Sequence, residues 1–243
     1  CYHAPAAVIK AHSLLASLPE VDAGRIGLTG ISWGGYLTSM VSGLDPRFKA
    51  AAPVYGCGYV SDESTWTEEG VFDKLSDAQA GFWRDNFDPA RVLHRANLPM
   101  LWLNGTNDFA YWPSSWQKSI DTAPGPHQLC MKVRWPHGHI PEAEETREIE
   151  AFFAAQLKAG PPLLSITEPT VQNNIITARY GDESPLRSAT LVITVDTGRW
   201  PQREWHTLPA EIDAENRAVS AQLPEGATAA YLSLTSEDWL TTS

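Results

Sequence analysis

At 243 residues the chain exceeds one typical domain, and 43% hydrophobic content with ten tryptophans is enough to build genuine cores. Its net charge of −11, with no basic half, argues against nucleic acid or an anionic membrane as partner, since either would repel it. Cys1, Cys57 and Cys130 are odd in number and form no C-x-x-C pair, so they indicate neither a zinc site nor a disulfide framework; Cys57 and Cys130 read as small buried hydrophobes.

The first predicted element is a helix over Pro5 to Leu18, where Ala7, Val8, Ala11, Leu14, Leu15 and Leu18 recur at helical spacing. The apolar run Arg25-Ile26-Gly27-Leu28-Thr29 follows as a strand, and Gly35 to Leu44 as a helix. Between them stands Gly30-Ile31-Ser32-Trp33-Gly34. A G-x-S-x-G pentapeptide is common by chance, but between a strand and a helix it has the setting of a nucleophile elbow. A serine at the tip of such a turn sits in strained backbone, so Gly30, Gly34 and Gly35 supply room where strand and helix approach. The helix N-terminus points its amides at the serine, and the Trp33 amide is placed to donate to an oxyanion.

Gly58 to Arg95 is longer than an ordinary connection between two sheet strands, with helical stretches at Glu68 to Leu75 and Ala78 to Asp85. Inserts at such a place commonly form a cap over a pocket. Met100-Leu101-Trp102-Leu103 is the next strand, and Asp108 lies at its carboxyl end; Asp85, Asp88 and Asp121 lie at no strand terminus. Cys130 to Trp135 forms the last strand of this part and runs into Pro136-His137-Gly138-His139, ahead of a helix that contains Glu142 to Lys158. All three residue types thus fall at carboxyl ends of parallel strands, in the order Ser, Asp, His that α/β-hydrolases use for a catalytic triad. Of the two histidines, His139 is preferred as base because Gly138 permits a tight loop that swings the ring back over Ser32; His137 is the alternate. Tyr55, Phe109, Tyr111 and Trp112, with Trp66 from the insert, are expected to line an apolar, aromatic substrate cleft suited to a neutral ester.

The pattern changes at Gly160-Pro161-Pro162. Beyond it come short alternating runs at Asn174 to Tyr180, Ala189 to Asp196, Glu204 to Leu208, Ala218 to Leu223 and Ala229 to Thr235, separated by turn clusters. The expected organisation is an α/β catalytic domain over residues 1–160 and an all-β, immunoglobulin-like sandwich over 165–243. Trp200, Trp205 and His206 raise the idea of a sugar-binding face, although packing in a core is the commoner fate of strand aromatics. The sandwich is expected to brace the catalytic unit or to cover part of its exposed edge.

The stretches Pro19 to Asp22, Thr29 to Leu37, Pro53 to Gly58, Asn104 to Tyr111 and Pro136 to His139 resemble the dienelactone-hydrolase and acetylxylan-esterase-like branch of the α/β-hydrolases, over residues 1 to about 160. The resemblance implies a serine carboxylic-ester hydrolase that uses no metal and no organic cofactor. It assigns Ser32 as nucleophile, Asp108 as acid and His139 as base, and does not extend to acetylxylan specificity.

The sequence departs from that branch in having only 24 residues, read as one helix, ahead of the expected elbow strand, where several strands normally stand. It is therefore expected to be either a piece of a longer polypeptide or a hydrolase with a shortened sheet. The elbow strand then becomes a sheet edge, and a homo-oligomer formed through that edge is expected. No apolar stretch reaches membrane-spanning length and no signal peptide is legible, but the chain opens on Cys1 rather than Met, so its compartment stays unassigned. Two other functions compete with the esterase: a serine peptidase or amidase using the same triad, and a catalytically weak binding module.

Overall fold

A computed structural model describes residues 2–144 and 146–243; Cys1 lies outside them. Four parallel strands form its first sheet: β1 (Gly27–Ile31), β2 (Ala50–Val54), β3 (Met100–Gly105) and β4 (His127–Lys132), side by side in chain order. The α-helices of this part, in chain order, are α1 (His3–Ala16) ahead of β1, α2 (Trp33–Leu44), α3 (Thr65–Glu68), α4 (Asp77–Phe87) and α5 (Pro113–Thr122) between the strands, and α6 (Pro141–Glu144) and α7 (Arg147–Lys158) after β4. Strands β2 and β3 are buried on both faces, and their period-2 side chains feed two separate cores. Ala51, Met100 and Trp102 join Tyr36 and Met40 of α2 and Trp116 and Ile120 of α5. On the other side Ala50, Ala52, Leu101 and Leu103 join Phe152 of α7, and the short alanines let helices approach closely on both faces.

The predicted insert contains α3 and α4, and it seats Trp66, Phe72 and Trp83 against the first core. The first helix and the elbow helix form within a few residues of their expected bounds. Two expectations shift. The helix anticipated to contain Glu142 to Lys158 is broken, because Thr146 is extended (φ −74°, ψ 106°) and α7 starts anew after it. The strand anticipated to reach Trp135 ends at Lys132, because Arg134 adopts a left-handed φ of 50° and turns the chain.

Beyond residue 164 the chain is all β: β5 (Thr170–Gln172), β6 (Ile175–Arg179), β7 (Leu186–Thr194), β8 (His206–Pro209), β9 (Glu211–Asp213), β10 (Ala218–Gln222), β11 (Ala229–Ser236) and β12 (Thr241–Thr242). They form two antiparallel sheets, β5-β6-β10-β9 and β12-β11-β7-β8. Lettered A, B, C, C′, D, E, F, G in chain order, these are A-B-E-D against G-F-C-C′, the immunoglobulin arrangement expected. Ile176, Ala178, Val219 and Ala221 from one sheet meet Leu191, Ile193, Leu232 and Leu234 from the other in a single core.

The sandwich closes one edge of the parallel sheet. Ser243 donates its backbone N–H to the Leu129 carbonyl at 3.0 Å, and the Met131 N–H reaches the Ser243 hydroxyl at 3.2 Å, so β4 is not left bare. The buried Glu148 carboxylate of α7 accepts from Lys132 (2.9 Å) and from the Thr241 N–H (3.1 Å), fastening the same corner. At the opposite edge β1 pairs only with β2 among the described residues. Cys57 and Cys130 are free thiols buried in the two cores, and burial pushes both thiols up in pKa.

Candidate active site

The serine turn is built by close packing of backbone. Ser32 takes φ 58°, ψ −117°, held there by its N–H on the Val54 carbonyl (3.0 Å) and its own carbonyl on the Tyr36 N–H (2.9 Å). A Cβ on Gly30 would lie 2.5 Å from the Gly34 carbonyl oxygen, and one on Gly35 would lie 2.4 Å from that of Val54. Gly34, expected to serve the same need, has open space where its Cβ would be. Trp33 is the first residue of α2, so its amide is among those a helix leaves without an intrahelical partner. Its indole is 44% exposed and stacks on Tyr36 at 4.2 Å.

Asp108 follows β3 and is buried. Its Oδ1 accepts the backbone N–H groups of Ala110 (2.8 Å) and Tyr111 (2.7 Å), which fixes the carboxylate plane. Its Oδ2 lies 2.6 Å from His137 Nδ1, and His137 Nε2 lies 2.7 Å from Ser32 Oγ. Ser32, His137 and Asp108 therefore form one continuous hydrogen-bonded line. Asp88, by contrast, is buried beneath the backbone amides of Tyr59 and Ala90.

The preference for His139 is corrected: its side chain is 74% exposed and its Nδ1 faces Glu144 at 3.0 Å. The reason is the left-handed turn at Arg134. Trp135 is anchored in the second core, and its carbonyl packs so tightly over Gly105 that a Cβ there would come within 2.6 Å. From that anchor two residues suffice to bring an imidazole over Ser32, and the chain has moved on by His139.

The expected cleft residues divide. Phe109 is 57% exposed with its ring 4.7 Å from that of His137, and Trp66 is half-buried, 5.1 Å from Tyr111. Tyr55, Tyr111 and Trp112 are buried, so they back the site rather than face its opening. Tyr55 has a role the sequence did not reveal. Its ring stacks on His137 at 4.2 Å, and its hydroxyl donates to the Gly138 carbonyl at 2.9 Å, holding the histidine loop from beneath. Its place directly after β2, at the same end of the sheet as Ser32 and Asp108, was the available signal. Burial raises the pKa of Tyr55 and, more strongly, of Tyr111, so both phenols stay neutral around the imidazole. Asn107, next to the acid, donates to the carbonyls of Pro201 (3.1 Å) and Arg203 (2.8 Å) and so ties the acid loop to the sandwich. Among the described residues no cluster of three or more His, Cys, Asp or Glu could hold a metal, and no helix is long and apolar enough to cross a membrane.

Comparison with known proteins adds to this geometry. Residues 5–160 match the prolyl oligopeptidase family. The chain belongs to that family. As a member of the prolyl oligopeptidase family it has the α/β-hydrolase sheet that the sequence anticipated, and solved structures agree. An acetyl xylan esterase from a Paenibacillus species is 25% identical with a TM-score of 0.54, covering 61% of this chain and 51% of that one. Acetyl xylan esterase 1 from a Thermoanaerobacterium species is 18% identical with a TM-score of 0.50, over 60% of this chain and 50% of that one. The acylaminoacyl peptidase of Pyrococcus horikoshii is 21% identical with a TM-score of 0.50, over 61% of this chain and 26% of that one. The last two show likeness of fold alone. The chain thus spans about half the length of the esterases it matches. A search of curated proteins finds no match.

Proposed function

We propose that this member of the prolyl oligopeptidase family is a serine hydrolase that cleaves small or carbohydrate-linked carboxylic esters through an acyl-serine. The observation that carries this reading is the unbroken line from Ser32 Oγ through the His137 imidazole to the doubly anchored Asp108 carboxylate. With Nδ1–H donated to Asp108, Nε2 is the free base that accepts the Ser32 proton as the oxygen attacks the ester carbonyl. The Trp33 amide donates to the oxyanion of the tetrahedral intermediate. His137 then protonates the departing alcohol, and the same imidazole activates the water that releases the acid from Ser32. Asp108 holds the tautomer and stabilises the imidazolium, and Tyr55 is a positioning residue for the ring.

The rings beside His137, those of Tyr55, Phe109 and Tyr111, are uncharged, which suits a neutral ester. A peptidase or amidase is the second reading, favoured by the family match itself. Ser32→Ala is expected to lower p-nitrophenyl acetate turnover by at least ~10³-fold with circular dichroism unchanged, and turnover within about tenfold of wild type contradicts the assignment. A matched series of short-acyl p-nitrophenyl esters and peptide p-nitroanilides separates the two readings. The esters are expected to be the better substrates, and the reverse ranking selects the peptidase.

A further inference from the structure

Where the parallel sheet meets the sandwich there is a cleft of about 400 Å³ that shares no lining residue with Ser32, Asp108 or His137. Small-molecule sites span roughly 300–1,000 Å³ and favour domain junctions of this kind. Four aromatic side chains line it: Trp116 of α5, Trp200 and Trp205 from the segment ahead of β8, and Tyr231 of β11. Their positions are fixed by one another. Trp200 and Trp205 lie within 19° of parallel, Tyr231 meets Trp205 edge-on at 6.1 Å, and the Arg203 guanidinium sits 3.6 Å over Trp200.

Most of the polar lining comes from α5, where Ser114, Gln117 and Asp121 stand three and four residues apart on one face beside Lys118, and Ser243 adds to it from the sandwich. Gln117 donates to Asp121 at 2.8 Å, giving a preformed amide–carboxylate pair at the exposed rim. Buried polar groups are normally paired, yet the indole N–H groups of Trp116 and Trp205 and the Ser114 hydroxyl are buried without a hydrogen-bond partner. Both indoles belong to side chains that are at least nine-tenths buried. All three atoms have next to no accessible surface, so they lie behind the wall of the cleft rather than at its face.

We propose that this cleft binds a neutral sugar ring of a glycan, at a site separate from the hydrolytic centre. A pyranose has an apolar C–H face for the aromatic wall and vicinal hydroxyls for the Gln117–Asp121 pair at the exposed rim. An anion would face Asp121 on a chain of net charge −11, and Lys118, the cation in the lining, is already paired with Asp62 at 2.9 Å. The Trp200 and Trp205 cluster of the sandwich thus lines the cleft alongside Trp116 of the catalytic unit.

The test is calorimetric titration of the Ser32→Ala protein with xylohexaose, cellohexaose and maltohexaose, alongside the apolar dye anilinonaphthalene sulfonate, with tryptophan fluorescence as second readout. Because the reactive serine is absent, the result is independent of the proposed hydrolysis. Saturable binding of at least one oligosaccharide is expected. Adding Ala229→Phe, which fills the cleft from the strand face that carries Tyr231, should weaken it by about tenfold or more, and Gln117→Ala on exposed α5 surface serves if that variant fails to fold. Binding by none of the three sugars, binding by the dye alone, or sugar binding that the folded variants leave unchanged would overturn the proposal.

Discussion

Tyr55 joins the fold to the proposed chemistry at the scale of a single side chain. Removing only its hydroxyl leaves the stack under His137 but releases Gly138, so Tyr55→Phe is expected to lower kcat by roughly three- to tenfold with little change in KM, a loss of orientation rather than of binding. An equal fall in kcat for Tyr55→Phe and for the cavity-forming Tyr55→Ala would show that the hydroxyl carries the whole effect. A KM change alone would remove Tyr55 from this role. Ser32 and Asp108 were legible because strand, turn and residue type coincided. The histidine that the fold places beside Ser32 was not, because that placement rests on the φ of Arg134 and the anchoring of Trp135, and neither leaves a mark in residue type.

At the scale of elements, the turn between β1 and α2 makes different demands on its neighbouring glycines. Gly35→Ala drives a methyl into the Val54 carbonyl and should destabilise by about 1–3 kcal/mol. Gly34→Ala meets open space inside a helix, where alanine gains about 0.5–1 kcal/mol over glycine in propensity, and should be neutral or stabilising. Urea denaturation of the two variants checks the contrast; equal destabilisation would mean that close approach does not govern the turn. The longer strands were readable from apolar runs, since β3 has six buried positions in a row, β7 ends on four buried positions from Leu191 to Thr194, and β11 alternates from Leu232 on. Strands β5, β9 and β12 were not, because with two or three residues each they carry no period to detect.

At the scale of the whole molecule, the two edges of the parallel sheet are treated differently. The sandwich covers the β4 edge, through Ser243, and not the exposed β1 edge it was expected to cover in part. Which edge would be covered could not be read from sequence, since it depends on where the last strand of a separate sandwich comes to rest.

The proposed chemistry depends on one hydroxyl being activated by one imidazole, and a fluorophosphonate probe reads that activation directly because only an activated serine reacts quickly. The account predicts rapid labelling that peptide mass spectrometry maps to Ser32, lost in His137→Ala and retained in His139→Ala. Labelling that leaves Ser32 untouched, or that survives loss of His137 and disappears with loss of His139, would contradict it.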